Sequence, residues 1–154
     1  MLRVIITILC LICLIYPNPT SAEEREGVTV RLSGGVGAEV GSHLFDEGGS
    51  LGVSVGWAVA PSLGVQLAFH EVWPIASNVG LGLVYYLADW YWSASWGVAW
   101  SPEGSGWGIN HLLGREWAVS ENWGLGVGGQ LLVFSTGEED PRFAVGVVMT
   151  GTYW

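Results

Sequence analysis

The sequence contains no lysine; its five basic residues are all arginine, against 14 acidic residues. Proteins that hold nucleic acid neutralise phosphates with clustered Lys and Arg, so this balance argues against nucleic acid as a partner. Cysteine is nearly absent as well. Cys10 and Cys13 are the only two, and both lie in the apolar run at 4–16. Beyond that run no thiol is left for a disulfide or a cysteine-ligated metal. A long apolar segment is also lacking. After residue 22 no unbroken apolar run reaches the ~18 residues of a candidate spanning helix, so any crossing of a membrane falls to strands.

The first 22 residues have the layout of a secretory signal peptide. Arg3 precedes the apolar run, Pro17 and Pro19 break it, and Ser21-Ala22 supplies small residues for cleavage after Ala22. Leu9 and Ile12 stand before the cysteines where lipoprotein signals carry a small residue, which speaks against a lipid anchor. The expected organisation is a signal peptide at 1–22 and one domain at 23–154. From residue 23 onward four arginines face 14 acidic residues, a net charge of −10. So few charges with so much apolar content exclude a disordered chain.

What fills the domain is alternation. In 51–60, Leu51, Val53, Val55, Trp57 and Val59 interleave with Gly52, Ser54, Gly56, Ala58 and Ala60. In WYWSASWGVAW (90–100), Trp90, Trp92, Trp96 and Trp100 fall on one face, and Tyr91, Ser93, Ser95, Gly97 and Ala99 on the other. Such period-two patterns predict strands at 28–40, 51–60, 63–73, 79–87, 90–100, 107–119, 123–134 and 143–154. Their connections alternate in length: SHLFDEGGS, Pro61-Ser62, PIASN, Ala88-Asp89, SPEGSG, Ser120–Asn122, STGEEDPR. An even strand number, with short turns at one end and longer loops at the other, predicts an all-β, eight-stranded antiparallel up-and-down transmembrane β-barrel.

The bulky face must point outward. The interior of an eight-stranded barrel is only wide enough for side chains to fill it. Nine Trp with rows of Leu and Val would overfill that space. Pointed inward, they would also leave Gly, Ala and Ser, with almost no charge, to meet water. Pointed outward, they suit lipid, and Trp73, Trp90, Trp92, Trp100, Trp107, Trp117 and Trp123 fall near strand ends as an aromatic girdle. Trp96 sits nearer the middle of its strand. Trp154 ends the chain as terminal aromatics do in such barrels, but it shares the face of Ala144, Val148 and Thr152, so the sequence leaves the register of the last strand open, a bulge being one way to resolve it.

The segment GREWAVSENWGLGVGGQL (114–131) resembles a motif of small, mostly uncharacterised bacterial outer-membrane β-barrel proteins, notably from myxobacteria. That motif has the form G-K-E-W-W-V-S-D-N-W-G-L-G. Gly114, Glu116, Trp117, Val119, Ser120, Asn122, Trp123, Gly124, Leu125 and Gly126 match it, while Arg115, Ala118 and Glu121 replace Lys, Trp and Asp. The likeness covers one hairpin. It implies a barrel and supplies no catalytic residue.

Chemistry is sparse. On the inward face, Arg31 and Glu116 coincide in height near the short turns, and Glu39 and His70 near the other end. Both are read as polar pairs of the lumen, since a charge in a narrow interior needs a partner. His43 with Asp46 and Glu47 is one loop histidine among acids, too weak a set for a metal site. His111 falls on the bulky face without a serine two residues on. No catalytic, metal or cofactor-binding residue is expected. The expected partners are outer-membrane lipid, lipopolysaccharide and, during biogenesis, the barrel-assembly machinery. The expected role is structural or surface-interacting, without a wide pore. A secreted soluble barrel with Trp lining a hydrophobic-ligand cavity and a lipid-modifying outer-membrane enzyme are the alternatives.

Overall fold

The computed structural model describes residues 27–40, 47–137 and 140–154. The expected signal peptide, His43, Asp46 and Glu138-Glu139 lie outside the described residues. Eight strands follow one another: β1 (Gly27–Val40), β2 (Glu47–Ala60), β3 (Leu63–Trp73), β4 (Ala76–Leu87), β5 (Trp90–Ser101), β6 (Gly104–Ser120), β7 (Trp123–Thr136) and β8 (Arg142–Tyr153). Each pairs antiparallel with the next, and β8 pairs with β1, closing an up-and-down barrel.

The strands outrun the alternation at one end. β2 begins at Glu47, β4 at Ala76 and β6 at Gly104, inside stretches whose Gly and Ser content predicted loops. Gly104 pairs with Ser101, and Gly106 with Ala99 and Thr136. Small residues lack an apolar stripe to reveal a strand, yet their backbone completes the ladder as well as any other. The expected contrast between a short-turn end and a long-loop end is therefore corrected. Two-residue connections Pro61-Ser62, Ala88-Asp89 and Glu121-Asn122 mark the end holding Gly27 and Tyr153. At the opposite end, 74–75 and 102–103 are equally short, and only 41–46 and 137–141 are longer. We refer to these as the terminal end and the loop end.

The last strand is regular. β8 keeps an unbroken register with both neighbours, and the register shifts lie instead at Ala58/Ala60 and Ala118/Ser120, by the terminal-end turns. The register left open by the sequence is thus settled without a bulge in β8. Trp154 follows β8, its N–H donates to Asn122 O at 3.2 Å, and its indole lies against Gly124. A side chain at 124 would strike that ring, so glycine there admits a terminal aromatic of inward parity.

Inside, two apolar layers flank a polar middle. Val72, Ile75, Ala76, Ala99, Leu132, Phe134 and Ala144 pack at the loop end, and Val84, Tyr86, Tyr91, Leu112 and Val148 toward the terminal end. The lumen is thus more apolar than small polar alternation implies. Glycine makes room for it. At Gly82, paired with Ser95, a Cβ would collide with the Ala94 carbonyl and the Ser95 backbone. Gly82→Leu should destabilise the barrel by about 1–3 kcal/mol through overpacking. The outward control Leu81→Ile should stay close to the parent. Urea unfolding in detergent, followed by Trp fluorescence, compares the two.

Candidate functional site

The most connected polar group in the lumen centres on Arg31. It projects from β1 into a cage from β4, β5, β6 and β8. Its Nε donates to Thr152 Oγ1 at 3.1 Å, and its Nη2 donates to the Tyr86 hydroxyl at 2.8 Å. The Thr152 hydroxyl in turn donates to Glu116 Oε2 at 2.5 Å. Arg31 Nη2 stands 3.6 Å from that same oxygen, with both side chains buried. The Tyr91 ring lies 4.1 Å from the guanidinium carbon, within cation–π range. Sequence reasoning named Arg31 and Glu116 but missed Tyr86, Tyr91 and Thr152. The available signal was two tyrosines of inward parity among glycines and serines, too large to be there without a polar task.

Glu39 and His70 are not brought together. Register pairs His70 with Gly52, and Gly52 with Ser33, so strand stagger sets His70 level with Ser33 and well below Glu39. Glu39 instead accepts from Arg142 Nε at 2.6 Å and Nη2 at 2.8 Å, a two-pronged pair. Arg142 Nη1 also reaches Glu103 Oε2 at 3.0 Å, which clasps β1, β8 and the turn after β5 above Phe134. Hydrogen bonding from the Ser101 hydroxyl, aided by Arg142, holds the Glu103 carboxyl below its ordinary range. Arg142 escaped sequence reasoning because it sat in a segment read as loop.

Between these charged groups, Ser50 donates to Gln130 Oε1 at 2.5 Å, and Gln130 Nε2 donates to Asn110 Oδ1 at 2.8 Å. This chain runs across the barrel from β2 to β7 and β6. The gap bordered by Arg31, Ser33, Ser54, Gln66, His70 and Ser93 has no room for a water molecule. Among the described residues, no group of three or more His, Cys, Asp or Glu is placed to hold a metal ion.

The outer wall carries the tryptophans. Trp73, Trp90, Trp92, Trp100, Trp107 and Trp123 are exposed on it, as is Trp96. Trp117 departs from the expected girdle. It has outward parity but is only 8% exposed, and the Arg115 guanidinium, itself paired with Asp89, lies over its ring at 5.3 Å. Trp57, Tyr85 and Tyr153 add exposed aromatics toward the terminal end. Apolar hollow space is also outside: a shallow groove of about 630 Å³ runs along the wall between Val28, Trp57, Leu67 and Leu83. The alternative of an internal Trp-lined ligand cavity is overturned: Trp57, Trp73, Trp90, Trp92, Trp96, Trp100, Trp107 and Trp123 are exposed on the outer wall, and among the described residues hydrogen-bonded and apolar side chains occupy the interior.

Closed topology, a filled lumen and an apolar outer wall define the class of small eight-stranded transmembrane barrels. Among solved structures, the chain superposes on Neisserial surface protein A with a TM-score of 0.69 at 13% identity, covering 83% of this chain and 97% of that one. It is also similar to Ail, the attachment invasion locus protein of Yersinia pestis, with a TM-score of 0.59 at 9% identity, covering 84% and 100%. The outer membrane protein OprG of Pseudomonas aeruginosa follows with a TM-score of 0.50 at 14% identity, covering 86% and 97%. No family model and no curated protein sequence matches the chain. At such identities the likeness is one of fold.

Removing one member of the Arg31–Glu116 pair strands the other charge in the lumen. Arg31→Ala should therefore cost about 3–5 kcal/mol. Arg31→Met combined with Glu116→Leu should recover most of that loss, because no charge is then left buried. Urea unfolding of the refolded barrels in lipid measures both.

Proposed function

We propose that this protein is a bacterial outer-membrane β-barrel with a structural or surface-interacting role, non-enzymatic and without a wide pore. The reading rests on one observation: exposed Val, Leu, Met, Phe, Tyr and Trp circle the whole outer wall, while hydrogen-bonded and apolar side chains fill the inside. In water such a wall would drive aggregation. In a bilayer it is the surface that lipid solvates, and aromatics toward both ends match the two interfaces. Closure leaves no strand edge in the hydrocarbon, which a spanning sheet requires.

The signal-peptide layout fits secretion across the inner membrane, followed by insertion with the barrel-assembly machinery. Outer-membrane lipid and lipopolysaccharide would then be the surroundings of the wall. The packed lumen supports contact at the surface over passage of solutes. The loop end, which presents the clasp of Arg142 with Glu39 and Glu103, would face outward, and the terminal end the periplasm.

Expressed with its full sequence, the protein should sediment with the outer-membrane fraction and leave it only in detergent. Unheated and boiled samples should also migrate differently on a denaturing gel. Recovery in the soluble periplasmic or culture fraction without detergent would overturn the membrane reading.

A further inference from the structure

Glu71 stands on the outer wall near the loop end of β3, two residues before Trp73. Its backbone pairs with Leu51 on one side and Ser77 on the other, and Ser77 pairs in turn with Trp100. Glu71, Ser77 and Trp100 therefore form one outward row across β3, β4 and β5. An open pocket of about 300 Å³ lies over this row, bounded by Trp73, Pro74, Trp100 and Pro102. Phe69 packs beside Trp100, with ring centroids 6.3 Å apart.

Both polar side chains of the row lack a protein partner. Ser77 is only 8% exposed, and Glu71 is half-buried. Among the described residues, no donor or cation meets the Glu71 carboxylate, and nothing hydrogen-bonds the Ser77 hydroxyl. No arginine is among the pocket's lining residues. Elsewhere the chain answers such carboxylates itself, Asp89 with Arg115 and Glu39 with Arg142. A carboxylate that gives up water beside aromatic rings and gains no partner is costly, and a cation from outside removes that cost.

The surroundings select the cation. Calcium and magnesium gather about six or more oxygens, and one carboxylate with one hydroxyl falls short of that. An organic ammonium needs less. Its N–H groups donate to carboxylate and hydroxyl oxygens, and indole faces attract its charge. A trimethylated ammonium has no N–H to give, so two acceptors side by side favour a primary one. Strand spacing sets Glu71 roughly 10 Å from Trp100, which leaves room for a small headgroup between them.

The position of the pocket says what carries the ammonium. Trp73 and Trp100 belong to the girdle, at the depth where headgroups meet tails. The next outward row toward the middle of the wall is Phe69, Val79 and Val98, wholly apolar. A headgroup in the pocket thus leaves its tails on hydrocarbon-facing surface.

The geometry points to a binding site for a membrane lipid whose headgroup carries a primary ammonium. Glu71 and Ser77 hold the ammonium, Trp73 and Trp100 wall it in, and the tails run along Phe69, Val79 and Val98. This rests on the membrane reading above. The test keeps the two separable, because unequal migration of unheated and boiled samples reports the folded barrel whether or not it retains lipid.

The full chain, folded in detergent, is mixed with equal amounts of phosphatidylethanolamine, phosphatidylcholine and phosphatidylglycerol bearing identical tails. Native mass spectrometry reads which lipid stays bound. The parent should retain one phosphatidylethanolamine in preference to the other two. Glu71→Gln should lower that retention about tenfold or more, since it removes the charge and keeps the size. Glu121→Gln, in a terminal-end turn, removes the same charge away from the pocket and should match the parent. Three results would each overturn the site: no preference for phosphatidylethanolamine in the parent, Glu71→Gln retaining it as the parent does, or Glu121→Gln losing it as far as Glu71→Gln. Loss of heat-modifiable migration in the parent would instead count against the membrane reading and the site together.

Discussion

Everything in this molecule depends on the ladder between β1 and β8. Val30 to Val40 pair with Tyr153 to Phe143 without interruption, which turns an open sheet into a cylinder. An open sheet of these strands would present two rows of bare N–H and C=O groups beside an apolar face. In hydrocarbon each unpaired group costs several kcal/mol, so the chain crosses a bilayer only when closed. Closure also divides the residues into two solvents. Outward positions meet lipid, and inward positions meet one another.

With eight strands that inner space is narrow, and its contents are correspondingly strict. Glycines such as Gly82 let neighbouring backbones and side chains approach. Tyr86, Tyr91, Leu112 and Val148 fill the volume they release. A charge admitted here must carry its own solvation. Arg31 has hydroxyls, a carboxylate and an aromatic face around it, and Glu116 shares the Thr152 hydroxyl with it. The same rule explains Arg142 at the loop end, where two carboxylates stand in for water.

The outer wall follows the opposite rule. Lipid asks only for apolar surface in the middle and amphipathic rings at the interfaces. Trp73, Trp100 and Trp107 toward one end and Trp90, Trp92 and Trp123 toward the other meet that demand. Glu71, His111 and Arg115, ionisable residues of outward parity, break the pattern. Arg115 neutralises itself on Asp89 and lies over Trp117 close to a turn. His111 stacks on Trp92, and Glu71 stands opposite Leu51.

The sequence by itself determined which face of each strand is outside, because period two and side-chain volume leave one packing that an eight-stranded interior can hold. It thereby determined strand number, order and the outward aromatic rows, and it put Arg31 and Glu116 at one height. What it could not set was stagger and reach. The tilt of a closed barrel offsets each strand against its neighbours, so His70 falls level with Ser33, and Glu39 meets Arg142 instead. Glycine and serine stretches carry no apolar stripe, so only backbone pairing revealed that β2, β4 and β6 continue through them. The placing of the Arg115 guanidinium over Trp117 likewise depends on how long side chains lie across a curved wall. These are contacts between residues far apart in the chain, and closure alone brings them together.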